Sequence, residues 1–409
     1  MNNIKFLSIL FFLLLITACS KDETNPVITD PPVVDQVTVN SYTPTQGYPE
    51  EIVTISGENF DASITNNTVS FNNVLANIIN ITTTQISITV PNAPAGNYTI
   101  TLNTNNENIT VGNFEILEDS KILAFSPLGK LHEVFTGSGR SNLLDTIDFD
   151  FWSQGNLNLI DFSDDILYIT DWSLSEYRIL EYNINTQLLE TTTNNYSNIP
   201  ELTNTNFPAI VTSNFNTTDG LLYLLFAGDD IGNGNFPYYL YTFNPETEAL
   251  INSNFSFDLD LIRSTFISNN TWYISSNNGT VKSINLQDNT IVSQTFNNPL
   301  HKVFKHNNQL YGLYKNPSQI EAKLALIDLT TGDLTDISSN TLGFLNPSGN
   351  GFKNTEDKFL DFTIVEDNDV NGFTNNGIYT YDILNNELHS VYLENQDLGY
   401  GTKVLKELN

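Results

Sequence analysis

The sequence predicts an all-β chain, a small β-sandwich followed by a β-propeller of six blades, and three observations carry that prediction. First, a strand, a tight turn and the start of a second strand recur along the chain. The clearest copy is Ile327-Asp328-Leu329-Thr330-Thr331-Gly332-Asp333-Leu334, with further copies from Tyr182, Ile284 and Tyr381 and looser ones from Tyr241 and Phe125. The anchors fall 43 to 59 residues apart, the period of units that each hold several strands. Second, the stretch from 37 to 117 alternates β-rich runs with Gly, Pro and Asn turns at sandwich spacing. Third, charged residues make up only 15% of the chain, and 26 Phe and 18 Tyr supply aromatic volume for cores between sheets.

Taken in order, residues 1–18 read as a secretory signal. Lys5 supplies a positive n-region, residues 6–16 an apolar run too short for a confident membrane span, and Ile16-Thr17-Ala18 a small-residue approach to Cys19. This box resembles that of bacterial lipoproteins. The resemblance implies that Cys19, the only cysteine, is acylated with palmitate and becomes the mature N-terminus. Ser20-Lys21-Asp22-Glu23 resembles the acidic tag that exports lipoproteins to the outer face of the outer membrane. Several acyl chains would hold the protein firmly where one would not. Residues 19–36 carry prolines and polar residues without periodicity and read as a flexible tether.

In the next stretch, strands are expected at 52–55, 69–71, 86–90 and 98–102. Tyr42-Thr43-Pro44-Thr45-Gln46-Gly47, then Val53-Thr54-Ile55-Ser56-Gly57-Glu58-Asn59-Phe60, and later Val90-Pro91 with Gly96-Asn97-Tyr98 resemble the IPT/TIG domain family. The resemblance covers 37–117 and implies an immunoglobulin-like fold that serves as a spacer or interaction module, with no catalytic residue to carry over. Gly57 is expected at positive φ and Phe60 in the core.

Residues 121–409 form the propeller domain. In the second copy, four strands are read at 157–162, 166–170, 178–183 and 188–193, which we denote A to D from first to last. The first copy shows only two, at 122–126 and 131–136. The segment 402–408 resembles the A strand beginning at His301, so a C-terminal strand is expected to complete the first blade and close the ring.

Loop lengths point to one face. Turns between C and D are short, whereas the long connections at 136–156, 194–207, 227–237 and 366–377 fall between B and C or between blades. Long loops on a rigid scaffold are where binding sits. On that face Trp152, Trp172, Tyr196 and Tyr238 are expected to form an aromatic platform for sugar rings. The competing reading is that each packs between blades, as Trp272, inside a strand, is expected to do. Asp367, Asp369 and Asn371, followed by Gly372, match the first half of a calcium loop, in which alternate oxygen ligands wrap a hard cation. Ile378 stands where the bidentate Glu of an EF-hand belongs, so the loop reads either as a calcium site completed by other carboxylates or as a plain turn. Asp229-Asp230 with Gly232 and Gly234 is a looser match of the same kind.

A net charge of −31 argues against nucleic acid or another densely charged polyanion as partner. The four histidines are scattered, and neither a zinc site nor a nucleophilic triad can be assembled from them. No enzymatic activity is therefore expected. The expectation is a cell-surface lipoprotein binding an extracellular ligand, most concretely a polysaccharide. In architecture it is similar to glycan-binding lipoproteins of polysaccharide-uptake systems. The alternatives are a protein-interaction or adhesion module and, less favoured, a glycan-active enzyme.

Overall fold

A computed structural model describes residues 36–409 except 106, 127, 148–159, 164, 173–175, 207–208, 316–321, 339–352, 356–357, 366–374, 384, 386, 394, 396–397, 399–401 and 409. Among the described residues there is no α-helix, only strands and short 3-10 turns. Contacts divide the chain into two compact units that part between Glu115 and Ile116.

The first unit holds eight strands. Its core comes from alternate positions of Ile52–Glu58, Asn67–Phe71, Gln85–Thr89 and Gly96–Thr104, whose apolar side chains all point to one side. Val53, Ile55, Phe71, Ile88 and Phe114 are wholly buried, and the Phe71 and Phe114 rings meet edge to face with centroids 5.2 Å apart. Val74–Ile81 pairs with Asn67–Phe71 through its first residues and with Gln85–Thr89 through its last. A strand that changes partners in this way turns a sheet into a sandwich. Phe60 is buried as expected. Gly57 is corrected: it lies within Ile52–Glu58, and the positive φ belongs to Asn59 at 62°. Glycine is required at 57 for space, because a Cβ there would collide with the Thr38 carbonyl oxygen and the Phe60 ring.

The second unit is a propeller-like arrangement of four-stranded antiparallel sheets. Five are built from consecutive strands. Sheet II runs from Ile160–Ser163 through Ile166–Trp172 and Glu176–Asn183 to Leu188–Asn195. Sheet III runs from Ala209–Asn216 to Ala249–Asp260, sheet IV from Ile262–Ser268 to Ile291–Thr295, sheet V from Leu300–His306 to Leu334–Asp336, and sheet VI from Lys353–Thr355 to Glu387–Tyr392. Sheet I is composite. Lys403–Leu408 pairs with Lys121–Phe125, which continues to Lys130–Phe135 and Ser141–Thr146. The C-terminal strand thus completes the first sheet as the sequence predicted.

Two expectations about this sheet need correction. Ser141–Thr146 is a strand within what read as a long loop. Phe125 ends strand B of sheet I, whereas Tyr182, Ile284, Ile327 and Tyr381 lie in strands C. The Phe125 copy of the repeat is therefore out of phase with the others. Its Pro-Leu-Gly turn resembles theirs only because any tight turn draws on the same residues.

The repeat has a physical basis. Residues Asn183, Asn244, Asn285 and Asp328 each accept a backbone N–H from two residues on, and the turns then pass through positive φ at Gln187, Glu248, Asn289 and Gly332. The aromatic or Ile just before each Asx points into a core between sheets. Such cores lie between each sheet and the next. Tyr177 and Ile179 of sheet II meet Leu224 and Phe226 of sheet III, and Tyr223 of sheet III meets Trp272 of sheet IV with ring centroids 6.1 Å apart. The series closes where Ile378 of sheet VI packs with Ile122 and Val404 of sheet I.

The A strands neighbour one another around the inside of the ring. Lys403 also ties sheet I to the neighbouring inner strand of sheet II: its Nζ donates to the Ile160 carbonyl and stands 4.0 Å from Asp161.

Candidate functional site

The antiparallel order places A–B and C–D turns at one end of the ring and B–C and sheet-to-sheet connections at the other. The first end carries only short turns. At the second, long stretches of chain join Thr146 to Ile160, Asn195 to Ala209, Asp336 to Lys353 and Tyr392 to Lys403. This is the face that loop lengths singled out in the sequence.

Of the residues expected to work there, Cys19, Trp152, Asp367, Asp369 and Asn371 lie outside the described residues. Trp172 ends strand B of sheet II, half-buried against the core between sheets II and III, with its backbone N–H donated to the Asp171 carboxylate. Tyr196 and Tyr238 are corrected. Tyr196 opens a short 3-10 turn capped by the Asn195 side chain, and it is 96% buried between Tyr177 and Phe226. Tyr238 is 1% exposed beside Phe257 in the core between sheets III and IV. Burial pushes both phenols well above their ordinary range. Both rings fill cores and do not present a face to a sugar. Connections this long have to be pinned to the ring, and an aromatic near the end of one provides the apolar area to do it. Trp272 is core, as expected, and its indole N–H bonds Asn214 Oδ1 at 2.8 Å.

The Asp229–Gly234 loop is a turn. Asp229 accepts the Asn206 backbone and side-chain N–H groups, and Asp230 accepts Gly232 N–H at 2.7 Å. Among the described residues, no three His, Cys, Asp or Glu side chains stand together as a metal would need.

At the same end the structure assembles residues that sequence reading missed. Arg263, second in strand A of sheet IV, has a guanidinium gripped from two sides. Its Nε donates to Asn277 Oδ1 at 2.8 Å, with Nη2 on the same oxygen, and Nη1 meets His301 Nδ1 at 2.9 Å. An arginine only donates, so His301 accepts through Nδ1. Asn277 sits in the B–C turn of sheet IV, held by its own N–H to the Leu261 carbonyl at 2.8 Å. In that turn Gly279 has φ 87°, and a Cβ there would meet the Phe296 carbonyl oxygen. His301 belongs to strand A of sheet V, so the group bridges two neighbouring sheets. Burial draws the Arg263 pKa down, and the nearby Asp260 carboxylate pushes it partly back.

A polar belt continues around the inner strands. Asn214 Oδ1 also accepts from Thr265 at 2.6 Å, Thr265 meets Thr212 at 2.6 Å, and Asp161 accepts the Phe215 N–H.

Residues 38–116 match the IPT/TIG domain family. No curated protein matches the chain. Among solved structures it is similar to an auxiliary nutrient binding protein from Bacteroides thetaiotaomicron VPI-5482, with 14% identity, 90% of each chain covered and a TM-score of 0.41. It is similar also to an auxiliary nutrient binding protein from Bacteroides ovatus ATCC 8483, with 13% identity, 91% of this chain and 90% of that one covered and a TM-score of 0.32. TolB from Acinetobacter baumannii shares 11% identity over 76% of this chain and 80% of its own, with a TM-score of 0.42. Likeness at this level carries nothing about a ligand. The match over 38–116 and the eight strands built there agree: the first folded unit is an IPT/TIG domain.

Proposed function

We propose that this chain is a lipid-anchored protein of the outer cell surface that binds an extracellular glycan at the B–C end of its ring and performs no catalysis. The single observation that carries the binding site is the asymmetry of the ring: short turns at one end, long connections at the other, with Arg263, Asn277 and His301 held together at the latter. In this reading Cys19 carries the acyl anchor, residues 20–36 form the tether, and the IPT/TIG domain is the spacer. Trp172 and Trp152 remain the aromatic candidates, and the Asp367 loop the candidate calcium site. A binding role is preferred to an enzymatic one, because Asn214 and Thr265, among the described polar groups of the inner strands, are engaged with one another.

Retention of residues 20–409 on a panel of insoluble and soluble polysaccharides, with and without EDTA, tests the reading. Binding to one class that falls on Trp172→Ala is the expected result, and loss with EDTA would bring in the Asp367 loop. Retention of no polysaccharide, with capture of a single surface protein instead, would overturn the glycan reading. In cells, palmitate labelling should vanish in Cys19→Ala; labelling that persists would remove the anchor.

A further inference from the structure

Five Asn-Gly pairs occur in the chain, at 233–234, 278–279, 350–351, 371–372 and 376–377. In sequence all five fall between strands B and C, between sheets, or at the start of a strand C, and none falls in an A–B or C–D turn. Asparagine is thermolabile, and most so before glycine, whose nitrogen has no side chain beside it to hinder attack on the preceding amide. Two of these pairs form turns that the structure holds very differently. The Asn278 amide oxygen accepts from Ser276 Oγ at 2.8 Å and from the Thr280 N–H at 3.0 Å. Its neighbour Gly279 is buried and donates its N–H to the Ser276 carbonyl at 3.1 Å. Asn233 and Gly234 are the two central residues of the tight turn between strands B and C of sheet III, closed by the bridge from Gly232 to Asn235. Their φ values of 60° and 76° are both positive, as in the type I′ turn that Asn-Gly favours. Asn233 is exposed, and among the described residues neither its side chain nor the Gly234 N–H has a hydrogen-bond partner. Space around Gly234 is open as well: the nearest atom to a Cβ placed there is Asp260 Oδ1 at 3.7 Å.

We propose that Asn233 is a self-modification site, where the Gly234 nitrogen attacks the Asn233 side-chain amide and the residue becomes aspartate or isoaspartate. The reaction needs only water. A bond forms from Gly234 N to Asn233 Cγ while the bond from Cγ to Nδ2 breaks. The Gly234 N–H proton passes to the departing amide nitrogen, and ammonia leaves behind a five-membered succinimide ring. Water then opens the ring at either carbonyl. One opening leaves a side-chain carboxylate on an ordinary backbone, and the other carries the backbone through the side-chain carbonyl as an isoaspartyl link. Either product adds a negative charge to a loop that already holds Asp229 and Asp230. The isoaspartyl link also adds a methylene to the backbone, which a two-residue type I′ turn has no room for, so the Gly232–Asn235 bridge opens. The B–C end of sheet III therefore changes in charge and loop shape as the molecule ages. The Asn278 turn keeps its form, because attack there must first break the bonds that hold both the amide and the Gly279 N–H. None of this depends on what the face binds.

The test is chymotryptic peptide mapping by mass spectrometry of residues 20–409 after timed incubation in mildly alkaline buffer, once folded and once in urea. In the folded protein the peptide holding Asn233 should gain about 1 Da and split into aspartyl and isoaspartyl forms on chromatography. Its rate should exceed that of the peptide holding Asn278 by about tenfold or more. In urea the two sites should react at similar rates, because the difference between them lies in the fold and not in the dipeptide. Asn233→Gly, which suits the same turn, should abolish the gain in the first peptide and leave the second unchanged. An Asn233 that stays intact in the folded protein while it reacts in urea would overturn the proposal. Equal rates at Asn233 and Asn278 in the folded protein would overturn it too, as would a mass gain that persists in Asn233→Gly.

Discussion

Glu181 allows the sharpest energetic test of the inter-sheet packing. It lies in strand C of sheet II, half-buried, directly opposite Glu190 on strand D, and the turn residue Glu248 of sheet III adds a third negative charge. Burial first, then Glu190 and Glu248, push its carboxyl from an ordinary 4.5 up to about 7. Between those values the folded protein holds a proton that the unfolded chain has released. Stability therefore falls as pH rises from 4.5 to about 7 and loses nothing more above that. At about 1.4 kcal/mol per pH unit the shift would cost about 3 kcal/mol, and screening by water around a half-exposed carboxyl cuts this to about 1.5, of which about 0.6 has accrued by pH 5.5. Glu181→Gln keeps the size and removes the titration. It should therefore stabilise the ring by about 1 kcal/mol more at pH 8.5 than at pH 5.5. Urea unfolding followed by tryptophan fluorescence reports on the correct unit, because Trp152, Trp172 and Trp272 all follow residue 116. Carboxylates remote from Glu181 cancel in the difference. Parallel stability curves for wild type and variant across this range would refute the buried-carboxyl argument. Glu190→Gln in the wild-type background should bring part of the same gain by lowering the Glu181 pKa.

Two further predictions follow from the architecture. Ending the chain at Thr402 removes the inner strand of sheet I along with the Lys403 contacts that join sheets I and II; limited proteolysis should then digest the ring and spare a fragment of about 80 residues matching the IPT/TIG unit. An intact ring in that truncation would mean that the closing strand is dispensable. Gly57→Ala should destabilise the sandwich by about 2 kcal/mol or more, because its Cβ meets backbone that cannot yield; an unchanged thermal transition of the isolated residues 36–117 would refute the close approach.

Fold class, the IPT/TIG stretch and strands B to D of sheet II were legible because each rests on local chemistry. Alternation selects the buried face of a strand, Asn or Asp after a core aromatic writes the C–D turn, and an IPT/TIG pattern spans a single compact stretch. The closing strand was legible for the same reason, since 402–408 repeats the residues of another A strand. Misreadings came where two structures share one local signal. Phe125-Ser126-Pro127-Leu128-Gly129 is a good turn whichever pair of strands it joins, and only pairing with Lys403–Leu408 assigns it to the B–C position. Tyr196 and Tyr238 combine an apolar ring with a hydroxyl, which suits a sugar platform and an inter-sheet core equally well; tertiary packing placed both in cores. The Arg263 group lay beyond sequence reading altogether. Arg263, Asn277 and His301 are 14 and 38 residues apart, and they meet only because two bulges turn neighbouring strands toward one another. A trace was present in the enrichment of Lys and Arg on the A strands of an acidic chain. Sequence by itself determined what each segment would become, because strand, turn and core preferences act over a few residues. Tertiary structure alone decided which side chains meet at the end of the ring, because that depends on register between strands far apart in the chain.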